Sequence, residues 1–391
     1  MSVQRDLLHM SQPRGCLDEQ PGQAADGPPL QCSAVLTHHW LVRVRGGEKV
    51  LRALCELLPD RPIHTLIYDP AGAGPGWPPV RTSCLQHLPG ARRHYPKLLP
   101  LLPLAACRVK LPPVDLVVCS DAAIAKAMRP HPRSKVVCYC HSPMRYVWEE
   151  QIHREYAATL PAPARWLFAR LAAWLRETDY RAAQRVDQFV ANSRHVAARI
   201  RRCYGRQAAI IYPPADLPPE PAVGPREDFY LCVGHHVPYK RLDLAVEACR
   251  NLRRRLVVIG DGPDTRRLKA KAGPAVEWLG WQTADVIADY YRRAAALLFP
   301  GEEDFGLVPV EAMAHGCPVV AYGLGGATET VLDGQTGVLF GEQTVDALTA
   351  AMERAAKIAF DPVSMHERMQ RFGRARFLRE MRDLLLRVVN E

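Results

Sequence analysis

Apolar residues along this chain fall into two alternating patterns, short continuous runs and stretches with an apolar residue at every third or fourth position. Runs at 33–36, 64–68, 115–120, 135–139 and 188–191 predict strands. Between them, Val50, Leu51, Leu54, Leu57 and Leu58 repeat at helical spacing and predict a helix over 48–58. A longer amphipathic helix is expected over 165–186. A proline-rich stretch, YPPADLPPEPAVGPR at 212–226, then reads as a linker. After it the alternation resumes, with strands at 229–233, 255–259, 276–279 and 294–299 and a helix at 242–251. A basic helical segment at 365–389 closes the chain, with Gly373 marking a break. Strands that alternate with helices predict an α/β fold in two similar halves.

The densest polar chemistry lies at 297–340. The strand at 294–299 stops at Pro300-Gly301, and the acidic Glu302-Glu303-Asp304 follows, then Phe305-Gly306-Leu307-Val308. Pro309 suits the opening of a helix, because its missing N–H would be unpaired there anyway. Glu303 and Glu311 stand eight positions apart, one before that helix and one expected in its first turn. Free amides and the positive dipole end of a helix make a seat for an anion such as phosphate. Carboxylates beside that seat accept hydrogen bonds from sugar hydroxyls, although the same acids can serve as dipole-stabilising caps. A second strand, 319–321, leads through Gly323-Leu324-Gly325-Gly326 into Ala327-Thr328-Glu329, a second anion seat.

The stretch EEDFGLVPVEAMAHGCPVVAYGLGGATETV resembles the donor-site signature of the retaining glycosyltransferases of family 4, including the paired glutamates at Glu303 and Glu311. The resemblance covers the chain from about Ser33 to its end and implies two Rossmann-like domains facing across a cleft, the GT-B arrangement. On that reading residues 1–31 are a disordered tail, 32–211 an acceptor domain and 212–227 the linker. Residues 228–364 are then the nucleotide-sugar domain, and 365–391 a helix crossing back to the first.

Other segments extend the resemblance. HHWLVRVRGGEKV is similar to the first loop of a mannosyltransferase-rich branch, which places Gly46 and Gly47 near the donor phosphates. CHSPMRYVWEE resembles the cleft motif whose histidine contacts the donor sugar, which implies a catalytic His141, with Arg145 and Tyr146 as acceptor-side candidates. GHHVPYKR implies that Lys240 binds the diphosphate, and Arg241 can add a bidentate contact. Many relatives carry arginine where His235 stands, so the positive charge rests more on Lys240 and Arg241. Gly260 and Asp261 sit in a turn that lines the nucleotide pocket in relatives.

Composition narrows the partners. The 391 residues carry a formal net charge of +10, which favours anionic partners such as phosphorylated substrates, acidic lipid headgroups or nucleic acid. The segment 85–110 mixes Arg92, Arg93, His94, Lys97, Arg108 and Lys110 with many leucines and resembles a surface that lies on anionic lipid. Its prolines argue against one long helix. The N-terminus lacks a signal-peptide core, and no apolar run is long enough to span a bilayer. The expectation is a cytoplasmic protein, with peripheral attachment to the inner membrane face as an option. Twelve cysteines without a C-x-x-C pair read as reduced core residues.

The resemblance implies retaining glycosyl transfer, with no covalent carboxylate nucleophile. Lys240, Arg241 and the amides of Phe305, Gly306, Leu307 and Val308 would stabilise the leaving diphosphate, with Glu311 on the ribose and Glu303 on the transferred sugar. No aspartate-x-aspartate metal motif stands in a convincing place, so no metal or other cofactor is expected. GDP-mannose is the first expectation for the donor, with UDP-glucose or UDP-N-acetylglucosamine as alternatives, and a lipid-linked or polysaccharide glycan is the expected acceptor. A nucleotide-sugar epimerase of the same fold is a rival. A nucleic-acid binder would leave Glu303, Glu311 and the glycine turns idle and lacks interleaved surface aromatics, so no nucleic-acid partner is expected.

Overall fold

The computed structural model describes residues 30–391 apart from 99, 151–152, 155–156 and 158–160. The expected tail therefore lies outside the described residues except for its last two. Leu30 is buried and packs with Cys32 into the core of the first domain, so ordered packing begins before residue 32.

The first domain is built on seven parallel strands: β1 Ala34–His38, β2 Ile63–Thr65, β3 Val80–Thr82, β4 Leu116–Asp121, β5 Lys135–Cys140, β6 Gln188–Ala191 and β7 Ala208–Ile210. They lie in the order β3-β2-β1-β4-β5-β6-β7. The second domain has six parallel strands: β8 Phe229–Val233, β9 Arg255–Ile259, β10 Val276–Gly280, β11 Ala296–Phe299, β12 Val319–Tyr322 and β13 Gly337–Phe340. Their order is β10-β9-β8-β11-β12-β13. β1, β4 and β11 are buried throughout, as continuous apolar runs require in a sheet covered on both faces. β3 and β7 escaped the apolar pattern because they are short strands at the two edges of their sheet and largely uncovered.

Each sheet reverses its direction of winding once, between β1 and β4 in the first domain and between β8 and β11 in the second. Adjacent connections diverge to opposite faces there and leave a crevice at the carboxyl ends of the strands, where open α/β sheets bind ligands. Every loop singled out for chemistry leaves one of these ends. Gly46 and Gly47 follow β1, His141 follows β5 beside the switch, Lys240 follows β8, and the acidic triplet follows β11.

The C-terminal segment divides at Gly373, as expected, but the crossing starts later than residue 365. Met365 and Met369 of the helix Pro362–Met369 pack in the second domain's core. The helix Arg374–Asn390 instead buries Phe377, Leu378, Met381 and Leu385 among Leu51, Leu54 and Tyr139 of the first. The segment 85–110 is broken by its prolines into short turns of helix and leaves Leu88, Leu101 and Leu104 between 41% and 49% exposed. Among the described residues every cysteine is unpaired, and no helix is long and apolar enough to cross a membrane.

Phe377 is fully buried with its ring centroid 5.7 Å from that of Tyr139. Phe377→Ala should destabilise the chain by about 3–5 kcal/mol through lost burial and the cavity left behind. A denaturant midpoint unchanged from the parent protein would show that the crossing helix is not part of the first domain's core.

Candidate functional site

The two switch points face each other, with a pair of glycines on the first domain's side. A Cβ on Gly46 would lie 3.3 Å from Leu307 Cδ1 of the second domain, and one on Gly47 would lie 3.6 Å from His141 Nε2. The helix Gly46–Leu57 begins at this pair, and its Lys49 reaches across the cleft. Lys49 Nζ lies 2.8 Å from Glu311 Oε1 and 2.7 Å from Asp216 Oδ2 in the linker. Burial raises the Glu311 carboxyl above its ordinary range even though Lys49 pulls it down. The helix carrying Glu311 spans Leu307–Ala314 and is capped by Gly306 at φ +86°. It therefore starts two residues before Pro309, and Glu311 lies beyond its first turn. The first-turn amides of such a helix lack intrahelical acceptors, which keeps the anion seat at 306–308.

On the second domain's side, Lys240 Nζ lies 2.9 Å from Glu303 Oε1. Burial alone would lower the Lys240 pKa, but the charge and hydrogen bond of Glu303 together with the nearby Tyr239 outweigh it, so the ammonium is retained. Glu302 and Asp304, on either side of Glu303, are held from the first domain. Arg199 Nη2 lies 3.2 Å from Glu302 Oε1, and Nη1 bonds Asp304 Oδ1. Ser193 Oγ donates to the Asp304 carbonyl at 2.6 Å, and Arg145 Nη2 to the Glu302 carbonyl at 3.4 Å. Burial raises the Asp304 carboxyl against the pull of Arg145 and Arg199.

His141 follows β5, with its amide on the Asp121 carbonyl and its Nε2 2.9 Å from Ser120 Oγ. Ser120 Oγ is in turn 3.1 Å from His38 Nδ1, because the β1–β4 register sets His38 beside Ser120. Burial pushes the His141 pKa down to about 4, so the ring is neutral at physiological pH. At the same switch point His38, His39 and Glu48 bring three ligand-type atoms within 4.8 Å of one another, as do Cys119, Asp121 and Cys138, so these are the described residues that could hold a metal ion. Glu48 is already engaged there, 3.5 Å from His38 Nε2 and accepting the Arg45 amide.

Two family models match this architecture. The model described as Glycosyltransferase Family 4 matches residues 44–218, and the one described as Glycosyl transferases group 1 matches residues 227–357. The chain belongs to glycosyltransferase family 4.

Among curated relatives, a D-inositol 3-phosphate glycosyltransferase from Gordonia bronchialis is 32% identical over 203 residues, 43% of this chain and 44% of that protein. A GDP-mannose-dependent alpha-(1-6)-phosphatidylinositol monomannoside mannosyltransferase from Mycolicibacterium smegmatis is 33% identical over 194 residues, 41% of this chain and 50% of that protein. The matched stretches thus span half or less of these relatives. The fold is shared over nearly the whole length of solved structures. HepE of Anabaena in complex with UDP-glucose aligns at a TM-score of 0.62 and 18% identity, over 91% of this chain and 99% of that one. Sucrose-phosphate synthase from Thermosynechococcus elongatus aligns at 0.66 and 18% identity, over 92% and 99%. Both confirm the two facing Rossmann-like domains of the GT-B fold.

Within this family 4 chain some expected site residues take other places. Arg241, at φ +50°, turns its guanidinium onto Asp243 of its own helix at 3.3–3.4 Å, whereas Lys240 is held on Glu303. The Phe305 side chain is core, packed on Phe372 and Tyr212, and leaves only its backbone to the site. The Tyr146 hydroxyl is buried in the first domain, where burial and the nearby Asp179 and Asp121 charges raise its pKa, so it does not serve as an acceptor-side group. Arg145 is stacked 4.7 Å from the Tyr239 ring centroid across the cleft. Gly260, at φ +122°, lies against the Gly234 carbonyl, and Asp261 ties its own turn by accepting from the Gly262 amide and Thr265 Oγ1. His235 Nδ1 lies 2.6 Å from the Asp261 carbonyl, and burial lowers its pKa, so it supplies no standing charge. Lys49, Ser193, Arg199 and Glu329 went unrecognised in the sequence. Each has a partner more than a hundred residues away.

Burial also holds His39 neutral, with a pKa near 3. His39 and His141 bind fewer protons folded than unfolded, so their stability contribution is complete above pH 6.5 and is lost as pH falls toward 4. Unfolding free energies from denaturant titration should fall between pH 7.5 and 4.5 by on the order of 2–3 kcal/mol per histidine. Replacing His39 by Gln should flatten that slope, and an unaltered slope would contradict its burial as a neutral ring.

Proposed function

We propose that the chain transfers a hexose from a nucleotide-sugar, with retention at the anomeric carbon, to a lipid-linked or polysaccharide acceptor. The observation that carries this reading is the meeting of the two switch points. Lys240 and Glu303 lie on one side and Gly46, Gly47 and His141 on the other, with Glu311 at the anion-binding helix between them. The diphosphate would sit on Lys240 and the amides of 306–308, which offset the charge that grows as the sugar departs. Glu311 would accept from the ribose and Glu303 from the sugar hydroxyls, each taking the place now held by a lysine. His141, neutral and anchored on Ser120, would face the sugar. This charge balance calls for no divalent ion, and turnover should survive a chelator.

GDP-mannose is the donor favoured by the mannosyltransferase relative, and an acceptor built on an anionic lipid would suit the +10 charge and the exposed leucines at 88–104. A second reading takes UDP-glucose as donor, supported by the HepE complex. Thermal stabilisation by a panel of GDP, GDP-mannose, UDP and UDP-sugars, with and without chelator, separates them. A ligand at about 100 times its Kd stabilises by about 2.7 kcal/mol. Stabilisation by guanine compounds supports the first reading and by uridine compounds the second. Stabilisation by none of them would overturn both.

Glu311→Ala should chiefly weaken donor binding, by about 1.5–3 kcal/mol for the lost charged hydrogen bonds. Lys240→Ala should lower turnover on the order of 100-fold, because it acts on charge that develops during the reaction. Titration calorimetry and initial rates check the pair. Equal effects of both variants on affinity and turnover would contradict the separate roles.

A further inference from the structure

The helix Arg194–Tyr204 belongs to the first domain, yet it binds the second at two levels. At its N-terminus the amides of Arg194 and His195 donate to the Glu329 carboxylate, each at 3.0 Å, and the Tyr212 hydroxyl donates to it at 3.1 Å. That level lies at the hinge. Tyr212 begins the linker, and the crossing segment runs beside it, with the Ala215 amide on the Phe372 carbonyl at 3.0 Å. The second level is Arg199, more than a turn further along and toward the cleft. Its side chain is only 3% exposed. Nε lies 3.1 Å from Glu149 Oε1, Nη2 reaches Glu302, and Nη1 serves Asp304 and, at 3.4 Å, Ser142 Oγ. One guanidinium therefore joins the loop after His141 to the two acids that flank Glu303.

We propose that Arg199 is a positioning residue that latches the two domains and sets Glu303 for the sugar. Rotation about the hinge can leave the Glu329 contacts in place, but it must separate Arg199 from Glu302 and Asp304. Ser193 Oγ, on the Asp304 carbonyl, and His195 Nε2, 3.3 Å from Glu302 Oε1, grip the same loop beside the hinge, and Arg199 adds the grip nearer the cleft. Glu303 itself is paired within the second domain, so its aim depends on the backbone of its neighbours. Removing the guanidinium leaves three acids facing one another with less positive charge among them, and domain separation relieves that repulsion by admitting water. Lysine cannot replace it fully, since a single ammonium lacks the planar fork that meets separate carboxylates at once.

The test compares Arg199→Gln, Arg199→Lys and Glu302→Gln in the full chain. Small-angle scattering of the ligand-free proteins should show a larger radius of gyration for Arg199→Gln and an intermediate one for Arg199→Lys. Scattering curves that superimpose on the parent would overturn the latch. This arm needs no substrate, so it stands or falls apart from the glycosyltransferase reading. The second arm rests on that reading and uses whichever of GDP or UDP binds the parent. Turnover with the matching nucleotide-sugar should fall tenfold to on the order of a hundredfold. The Kd for the nucleotide alone should stay within about threefold, because the nucleotide seat lies on the second domain. A loss of nucleotide affinity as large as the loss of turnover would overturn the positioning role. Should Arg199→Gln fail to fold, Glu302→Gln removes one arm of the latch at a part-exposed residue. It should show the same split of turnover from affinity, and its absence would overturn the proposal.

Discussion

Three consecutive carboxylates, Glu302, Glu303 and Asp304, stand part-buried in the cleft, and each is met there by a cation. The second domain supplies Lys240 to the middle acid, and the first domain supplies Arg199 and Arg145 to the outer two. The division has a structural consequence. Neither domain alone can neutralise the loop, so the loop's conformation becomes a property of the pair. Burying an unpaired carboxylate costs several kcal/mol, whereas one met by a well-placed guanidinium is tolerated. The acidic triplet thereby links the relative position of two sheets to the aim of one side chain.

Most of this architecture could be read from the chain because it is local. Continuous apolar runs at β4, β5, β8 and β11 announce buried parallel strands, and the glycines after β1, β8 and β12 announce turns where backbone comes close to something else. Gly46 shows why such glycines matter, since a Cβ there would come within 3.3 Å of Leu307 of the other domain. Edge strands were missed for the complementary reason. Val80–Thr82 buries almost nothing and so leaves no apolar signal.

The candidate site was legible where chemistry and sequence motif coincide, at His141, Lys240, Glu303 and Glu311. It was opaque where a residue's meaning depends on a distant partner. Arg199 lies in RHVAARIRRCY among three other arginines, and nothing in that string separates the buried latch from its exposed neighbours Arg201 and Arg202. Arg241 fails in the opposite sense. Its place beside Lys240 promised a second phosphate contact, but a left-handed backbone and an acid two residues on turn it onto its own helix. Phe305 differs from it, since only its backbone amide was expected to face the cleft and its side chain is free to belong to the core.

The two lysine–carboxylate pairs place different demands on an incoming nucleotide-sugar. Lys240 and Glu303 come from the same domain, and a diphosphate beside Lys240 can release Glu303 to the sugar while both groups remain solvated by the ligand. Lys49 and Glu311 come from opposite domains, and their 2.8 Å contact closes the path that a ribose would take to Glu311. On the proposed reading that pair must break before the nucleotide is seated. The ammonium freed from Glu311 keeps Asp216 as a partner, so its charge is not stranded. Glu311, part-buried and with its pKa already raised, has no second cation among its described partners and gains most from ribose hydroxyls that donate to it. The exchange is therefore asymmetric. It costs the first domain little, restores hydrogen bonds to the second, and requires the cleft to open, which sets the Arg199 contacts against the binding step and in favour of the closed complex that follows.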